Sequence, residues 1–131
     1  MITFRVDRRS GTAVYAQLVQ QVRQAVRVGR LAPGDRLPTA REVAERTGIN
    51  PNTVLRAYRD LETAGLVEPR QGSGTFVRPS LPQPQVDVTA LRQELAGWIG
   101  RARAAGLDLP DIQALVTDVA ADQEESHTHA R

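Results

Sequence analysis

Two helix-start signals lie eleven residues apart in the middle of the chain, and they constrain its fold more than any other feature. Thr39 is followed three residues later by Glu42, the spacing of a capping box, in which each side chain satisfies a free backbone N–H group of the first turn. Asn50 is a favoured N-cap, and Pro51 suits the first helical position because it has no N–H group to leave unpaired. One short helix must therefore stop and another begin within "RTGINPN", which predicts two consecutive helices joined by a tight turn.

The segments on both sides of this pair extend it to a small domain. Apolar residues at three- and four-residue steps predict a preceding helix over about residues 12–28. The helix that begins at Pro51 is expected to reach residue 64, and the apolar pairs at 66–67 and 76–77 flank "RQGSG", which predicts a β-hairpin. Three helices and a hairpin give the outline of a winged helix-turn-helix, a mainly α fold with a small β-hairpin wing.

The rest of the chain has a different composition. Three prolines fall within residues 78–85, so we expect a linker at 79–87. Apolar periodicity returns after it and predicts a two-helix region over 88–121, whereas residues 122–131 are almost wholly polar and are expected to form a disordered tail. The predicted order is therefore a lead-in (1–11), the winged domain (12–78), the linker, the two helices and the tail.

The predicted two-helix region carries an apolar seam. Its first helix has apolar residues at alternating steps of three and four from Val88 to Ala105, which is a heptad pattern, and its second helix is predicted to be capped by Asp108. Two short helices bury little surface by themselves, so we expect the seam to join two copies of the chain. Packing of the two helices on each other within one chain is the alternative. The residues assigned to dimerisation are Leu91, Leu95, Trp98, Ala102, Ile112, Leu115 and Val119.

Charge is distributed unevenly along the chain. Residues 1–80 hold 13 Arg against 7 acidic residues, a net charge of +6, whereas residues 81–131 hold 4 Arg against 8 acidic residues, a net charge of −4. A basic front half and an acidic back half indicate that only the front half meets a polyanion such as DNA.

The helix that follows Pro51 has a polar face suited to DNA. On a helical wheel, Asn52 and Arg56 lie opposite the apolar side that holds Val54 and Leu61. Asn pairs well with adenine and Arg with guanine in the major groove, and a helix N-terminus attracts phosphate. An ordinary solvated face is the alternative. The hairpin tip adds Arg70 beside glycines that permit close approach to a phosphate or a minor groove, or it is a flexible turn that contacts nothing.

Several other functions lack their usual sequence signals. The chain has no cysteine, which excludes disulfides, a thiol nucleophile and a thiolate zinc site, and fits the cytoplasm. It has no 18-residue apolar run. No catalytic arrangement is visible, and "GSG" is not followed by a helix that could hold a cofactor phosphate, so we expect neither enzyme activity nor a cofactor. His127 and His129 have no partner ligands nearby, so no metal site is expected.

Three segments together resemble the DNA-binding domain of the GntR family of bacterial transcription regulators. They are "LAPGDRLPTAREVA", "NTVLRAYRDLETAGLV" and "RQGSGTFV", and the similarity spans about residues 12–78. The short two-helix region after them, with "NPNTV" and "AYRDLE", resembles the YtrA-like subfamily. The resemblance implies a dimeric cytoplasmic regulator, a repressor by hypothesis, that binds an inverted-repeat operator. The alternative is an interaction adaptor that uses the apolar seam without sequence-specific DNA binding.

The resemblance also implies which residues contact DNA. In this chain the predicted set, to which Arg56 and Arg70 are added from the two faces described above, is Arg41, Asn50, Asn52, Thr53, Arg56, Arg70, Gln71 and Gly72. One departure is important. Many relatives read bases with arginines at the positions of Pro51 and Leu55, so Arg56 is expected to take that role here and the operator cannot be copied from them. Whether a small-molecule effector binds is left open.

Overall fold

The chain forms five helices and one two-stranded sheet, in a computed structural model that describes residues 2–129 and the side chains of residues 2–126. The elements are α1 (Val14–Arg27), α2 (Ala40–Thr47), α3 (Pro51–Thr63), β1 (Val67–Arg70), β2 (Gly74–Val77), α4 (Thr89–Ala104) and α5 (Leu109–His129). They divide into two compact units, Met1–Asp87 and Val88–Arg131, here called the first and second unit. The predicted fold class, mainly α with a β-hairpin wing, is confirmed.

The helix-turn-helix begins and ends as the capping residues dictate. Thr39 Oγ1 accepts a hydrogen bond from the backbone N–H of Glu42 at 3.1 Å, which starts α2. Gly48 ends α2 with φ of 73°, a left-handed conformation that costs glycine little. Asn50 Oδ1 then accepts from the backbone N–H of Asn52 at 2.8 Å and starts α3.

The core of the first unit lies where α3 packs on its neighbours. α3 contacts α1, α2 and β1, and Leu18, Val22, Val54 and Leu61 are fully buried there. Tyr58 is also buried, and its hydroxyl donates a hydrogen bond to the backbone carbonyl of Pro38, just before α2. α3 is therefore held on three sides, and its remaining side is left for solvent or a partner.

The wing is an antiparallel hairpin whose strands are longer than the apolar pairs suggested. Val67 pairs with Val77 and Arg70 with Gly74, so only residues 71–73 form the tip. The loop before α2 joins the free edge of β2, because the Leu37 N–H donates to Thr75 O at 2.8 Å. Arg70, expected at the tip, consequently lies at the end of a strand.

Segments at both ends of the first unit pack on α1. Residues 2–10, here called the arm, place Phe4 in the core with 7% of its surface exposed. Residues 81–86, here called the strap, lie within the predicted linker, yet Leu81 packs on the core and the Val86 N–H donates to Arg27 O at 2.8 Å. Gln85 Nε2 donates to Val26 O and to Leu31 O. The strap is ordered because the end of α1 has carbonyl groups without helical partners, and the strap satisfies them.

The second unit contains α4 and α5. Asp108 and Asp111 cap the start of α5 reciprocally: each backbone N–H donates to the other side chain, at 3.1 and 3.0 Å. Two of the residues assigned to dimerisation, Ala102 and Ile112, are buried within the single chain at 8% and 4% exposure, so they do not offer a surface to a partner. They lie close to the connection between the helices, where two consecutive helices must approach each other.

The predicted disordered tail, residues 122–131, differs from the structure. α5 continues without a break to His129. The stretch continues with Gln123, Glu124 and Glu125, which favour helix, and extending a helix that already exists needs no new nucleus. Residues 130–131 and the side chains of His127 and His129, on which the prediction of no metal rests, lie outside the described part of the chain. None of the helices in residues 2–129 is long and apolar enough to span a membrane.

Candidate nucleic-acid interface

The first half of α3 offers an exposed, acid-free surface. Asn52 is exposed and its side chain makes no hydrogen bond to another described residue, whereas Thr53 is half-buried. No acidic residue lies in the first turn, and the acidic residues of α3, Asp60 and Glu62, lie in its second half. Because the helix N-terminus also carries partial positive charge, this half of α3 is the end that suits a polyanion.

Asn50 has two roles to fill. Its side-chain oxygen is occupied by the cap of α3, accepting from the N–H of Asn52 at 2.8 Å. Its side-chain nitrogen makes no hydrogen bond within the described residues. The nitrogen can therefore donate to a phosphate or a base while the oxygen continues to cap α3. The cap therefore fixes how Asn50 can present itself to DNA.

Arg56 is exposed, as its place on the helical wheel predicts, but its guanidinium is not free. It stacks on the ring of Tyr15 in α1, with 3.6 Å between the guanidinium carbon and the ring centroid. Such a contact at an exposed site contributes about 0.5–1 kcal/mol. The stack orients Arg56 toward α1. To reach a DNA base in front of α3, the side chain must first give up the stabilisation that the stack provides.

Arg41 lies in the first turn of α2 with 88% of its side chain exposed. Its Nε is 3.3 Å from the Oε1 of Glu45 one turn later. An exposed pair of this kind contributes well below about 1 kcal/mol. Arg41 can therefore exchange Glu45 for a phosphate at little cost.

The wing tip exposes Gln71 and Gly72, and Gly72 has a φ of 76°. Arg70 is anchored beside them: its guanidinium carbon lies 4.3 Å from the ring centroid of Phe76, and its Nη2 lies 3.4 Å from Glu68 Oε1. Gln71 and Gly72 can thus approach a partner closely, while Arg70 presents its charge from a fixed position on the strand.

Two residues that the sequence did not single out organise this surface. Arg36 forms a backbone bridge with Phe76, and its Nη2 lies 3.5 Å from Glu42 Oε1, so it ties the base of the wing to the first turn of α2. Tyr15 supplies the ring beneath Arg56. The sequence shows that Arg36 lies three residues before Thr39, the start of the capping box. It does not show the contact of Arg36 with the wing, because Phe76 lies about 40 residues further along the chain.

The structure therefore places all eight predicted contact residues on the first unit, on three exposed elements: the start of α2, the start of α3 and the wing. Their amide, guanidinium and backbone groups are those that proteins use on base edges and phosphates. In residues 2–126 no group of three acidic or histidine side chains is arranged to hold a metal ion.

Known proteins are similar to this chain in sequence. A family model described as bacterial regulatory proteins, gntR family, matches residues 14–77. The HTH-type transcriptional repressor YtrA of Bacillus subtilis is 34% identical over 120 residues, covering 90% of this chain and 92% of the relative. The HTH-type transcriptional regulator Rv1152 of Mycobacterium tuberculosis is 42% identical over 118 residues, covering 90% and 94%.

Two solved structures extend the comparison. YtrA from Sulfolobus acidocaldarius, a GntR-family transcription factor, matches with a TM-score of 0.54 at 29% identity, covering 91% of this chain and 97% of that one. The DNA-binding domain of AraR in complex with operator ORX1 matches with a TM-score of 0.50 at 27% identity, covering 59% of this chain and 99% of that one.

Proposed function

The chain belongs to the GntR family of bacterial regulatory proteins, and we propose that it is a cytoplasmic transcriptional repressor that binds an inverted-repeat operator as a homodimer. The observation that carries the proposal is the exposed first half of α3, which has no acidic residue and presents Asn52 beside the helix N-terminus. The proposed activity is binding without catalysis, in keeping with relatives that are named regulators.

Base readout is assigned to α3. Asn52 is free to pair with an adenine, and Leu55, with 42% of its surface exposed, can contact the methyl group of a thymine. Arg56 reaches a guanine when it leaves Tyr15. Thr53 and the side-chain nitrogen of Asn50 are expected to contact the adjoining backbone.

Backbone contacts are assigned to α2 and the wing. Arg41 is exposed and weakly paired, which suits a phosphate contact that positions the domain without reading sequence. At the wing, Gln71 and Gly72 can approach the DNA closely, and Arg70 contributes charge from the end of β1. The DNA-binding domain of AraR, a related domain, is in complex with operator ORX1, which supports operator binding by a domain of this type.

Dimerisation is assigned to the second unit. Leu91, Leu95, Leu115 and Val119 are 38–60% exposed in the single chain. A groove of about 410 Å³ between α4 and α5 is lined mainly by apolar residues that include Trp98 and Val116. Leaving so much apolar surface in water is unfavourable, and a second copy that covers the groove relieves it.

The proposal is tested by selecting DNA ligands with the full-length protein and measuring affinity by fluorescence anisotropy. Asn52→Ala and Arg56→Ala should each lower the preference for the selected sequence, by about 1–3 kcal/mol for every base pairing that the variant can no longer make. Gln20→Ala, at an exposed position on α1, is the control and should bind like wild type. Replacing the thymine that Leu55 contacts by uracil removes its methyl group and should weaken wild type but not Leu55→Ala.

The variant Arg41→Ala distinguishes a phosphate contact, which positions the domain, from a contact that recognises bases. If Arg41 contacts a phosphate, the variant should weaken selected and scrambled duplexes alike. Wild-type protein that binds no DNA, or binds every sequence equally at all salt concentrations, would refute the repressor proposal and favour the interaction adaptor, which needs no salt-dependent DNA binding.

A further inference from the structure

The arm is fixed to α1 by two glutamines that act as a strand partner. Gln21 accepts from the Arg5 N–H at 2.9 Å and donates to the Arg5 carbonyl at 2.6 Å. Gln17 makes the same two contacts with the backbone of Asp7, at 2.9 and 2.8 Å. Each glutamine thus satisfies both backbone groups of one arm residue.

The geometry of this pairing is regular. Two residues of extended chain span about 6.7 Å, and four residues of helix span about 6.0 Å, so side chains at i and i+4 of α1 match every second residue of the arm. The alternate arm residues face the core: Phe4 is buried, and Ile2 and Val6 are partly buried against it. The arm is therefore a built element, and its far end has a defined position.

That end is a turn that carries two arginines. The Ser10 N–H donates to Asp7 O at 3.3 Å, and Asp7 Oδ1 accepts from the Arg9 N–H at 2.9 Å, which closes the turn with Arg8 and Arg9 at its centre. Arg8 Nη2 donates to the carbonyl of Thr47 at 3.3 Å. The same nitrogen lies 3.1 Å from where a Cβ on Gly48 would be. Arg8 therefore covers the connection between α2 and α3, two residues before the cap of α3.

The side chains of Arg8 and Arg9 have few bonding partners among the residues that the structure describes. Within the part of the chain that the structure describes, neither Arg8 nor Arg9 has a carboxylate at ion-pair distance. Arg8 uses one of its five N–H donors on a helix C-terminal carbonyl, and the Arg9 side chain, which is exposed, has no described partner. Capping of α2 accounts for one donor of Arg8, but it does not account for a second arginine held beside it.

From these contacts we infer that the arm is a further DNA-contacting element, in which Arg8 and Arg9 bind backbone phosphates beside the groove that α3 enters. The inference rests on the proposed function, because it takes α3 as the helix that meets DNA. Phosphate contacts of this kind fix the position of a domain on the duplex without reading bases.

The experiment uses full-length wild type, Arg8→Ala, Arg9→Ala, the double variant, and Arg30→Ala as the matched control. Arg30 is an exposed arginine beyond the C-terminal end of α1, whereas the arm's turn is bonded to Gln17 in its first turn. Affinity for a selected duplex and for a scrambled duplex is measured from about 50 to 200 mM salt. Melting temperatures are recorded in parallel, since loss of the Thr47 hydrogen bond alone could destabilise Arg8→Ala.

Removing one phosphate-binding arginine should make the slope of log K against log salt less steep by about 0.9. We expect this for Arg8→Ala and for Arg9→Ala, roughly twice the change for the double variant, and a wild-type slope for Arg30→Ala. The ratio of selected to scrambled affinity should not change. The Arg9 side chain makes no interaction with the described residues. A change of slope in Arg9→Ala is therefore not caused by a loss of protein stability.

Sequence-selective binding with unchanged slopes for Arg9→Ala and the double variant would overturn the role of the arm and leave the repressor proposal standing. A change in base preference without a change in slope would also overturn the role of the arm in phosphate binding. The arm would then affect DNA binding indirectly, by positioning α3. Wild-type protein that binds neither duplex would overturn both proposals together.

Discussion

Tyr58 shows how a single residue sets the geometry of the helix pair. Its hydroxyl donates to the carbonyl of Pro38, the residue before the cap of α2, so a side chain on α3 holds the segment that leads into α2. Burial raises the pKa of Tyr58 well above its ordinary value, and the negative charge of Glu42 raises the pKa further. The hydroxyl therefore keeps its proton at neutral pH and can donate this hydrogen bond.

Tyr58→Phe should lower the free energy of unfolding by about 1–3 kcal/mol, because the Pro38 carbonyl is left without its donor. A urea titration followed by circular dichroism measures the change. Tyr15→Phe alters a half-buried tyrosine whose hydroxyl has no hydrogen bond among the described residues, so it is the control and should cost much less. Equal stability of Tyr58→Phe and wild type would show that water replaces the missing donor.

The raised pKa of Tyr58 predicts that the free energy of unfolding falls at alkaline pH. Below about pH 10 both folded and unfolded states hold the phenol proton, so this group adds no pH dependence. Above that pH the unfolded chain loses the proton first, because the folded pKa is raised, and the unfolded state is favoured. The free energy of unfolding of wild type should fall above about pH 10 more steeply than that of Tyr58→Phe, which lacks the group.

Two features of the structure disfavour a side chain at Gly48. Its φ of 73° disfavours any residue with a Cβ, and that Cβ would lie 3.1 Å from Arg8 Nη2. Gly48→Ala should destabilise the protein by about 1–2 kcal/mol in thermal or urea unfolding. Gly11→Ala, where φ is not positive and a Cβ meets nothing within 4 Å, is the matched control and should be nearly neutral.

At the scale of elements, what the sequence predicted well is what local chemistry determines. The starts of α2 and α3 follow from Thr39, Asn50 and Pro51, whose capping contacts lie within three residues. The hairpin followed from apolar pairs around glycines, although its strands proved longer because Pro69 and Thr75 also pair.

What the sequence could not predict depends on partners distant along the chain. Arg8 meets Thr47, 39 residues away, and Gln85 meets Val26, 59 residues away. The spacing of apolar residues along the sequence gives no information about contacts between residues so far apart. Arg56 is a similar case, since the wheel gives its face correctly but cannot show that the ring of Tyr15 lies beneath it.

The strap offers a prediction of its own. Gln85→Ala removes two hydrogen bonds from Nε2, to Val26 O and Leu31 O, each worth about 0.5–1.5 kcal/mol. The variant should lower the free energy of unfolding by about 1–3 kcal/mol and speed amide exchange in the last turn of α1. Gln83→Ala, in the same strap but without a described side-chain hydrogen bond, should change neither. Identical exchange in the two variants would mean that the strap does not hold the end of α1.

At the scale of the whole molecule, the two units divide charge and apolar surface between them. The first unit (1–87) holds 13 Arg against 8 acidic residues, a net charge of +5, and the second unit (88–131) holds 4 Arg against 7, a net charge of −3. The second unit is therefore repelled by the polyanion that the first unit attracts. The second unit exposes leucines and valines instead. This distribution favours separate tasks, DNA contact for one unit and association for the other.

The association is testable by placing charge in the groove of the second unit. Leu95→Glu and Val119→Glu each bury a carboxylate in the expected interface, where an unpaired charge is costly, so both should shift the protein from dimer to monomer in analytical ultracentrifugation. Gln93→Glu adds the same charge on an exposed position of α4 that does not line the groove, and it should remain dimeric.

The DNA readout then distinguishes a dissociated dimer from a damaged domain. A monomer engages one half-site at a time and forfeits the gain from linked binding, which reaches about 10²–10⁴-fold. Leu95→Glu and Val119→Glu should therefore bind a full inverted repeat much more weakly than wild type, yet match wild type on a single half-site, since α3 and the wing are untouched. A fall on both duplexes would point to misfolding, and dimers with undiminished affinity would place the association outside this groove.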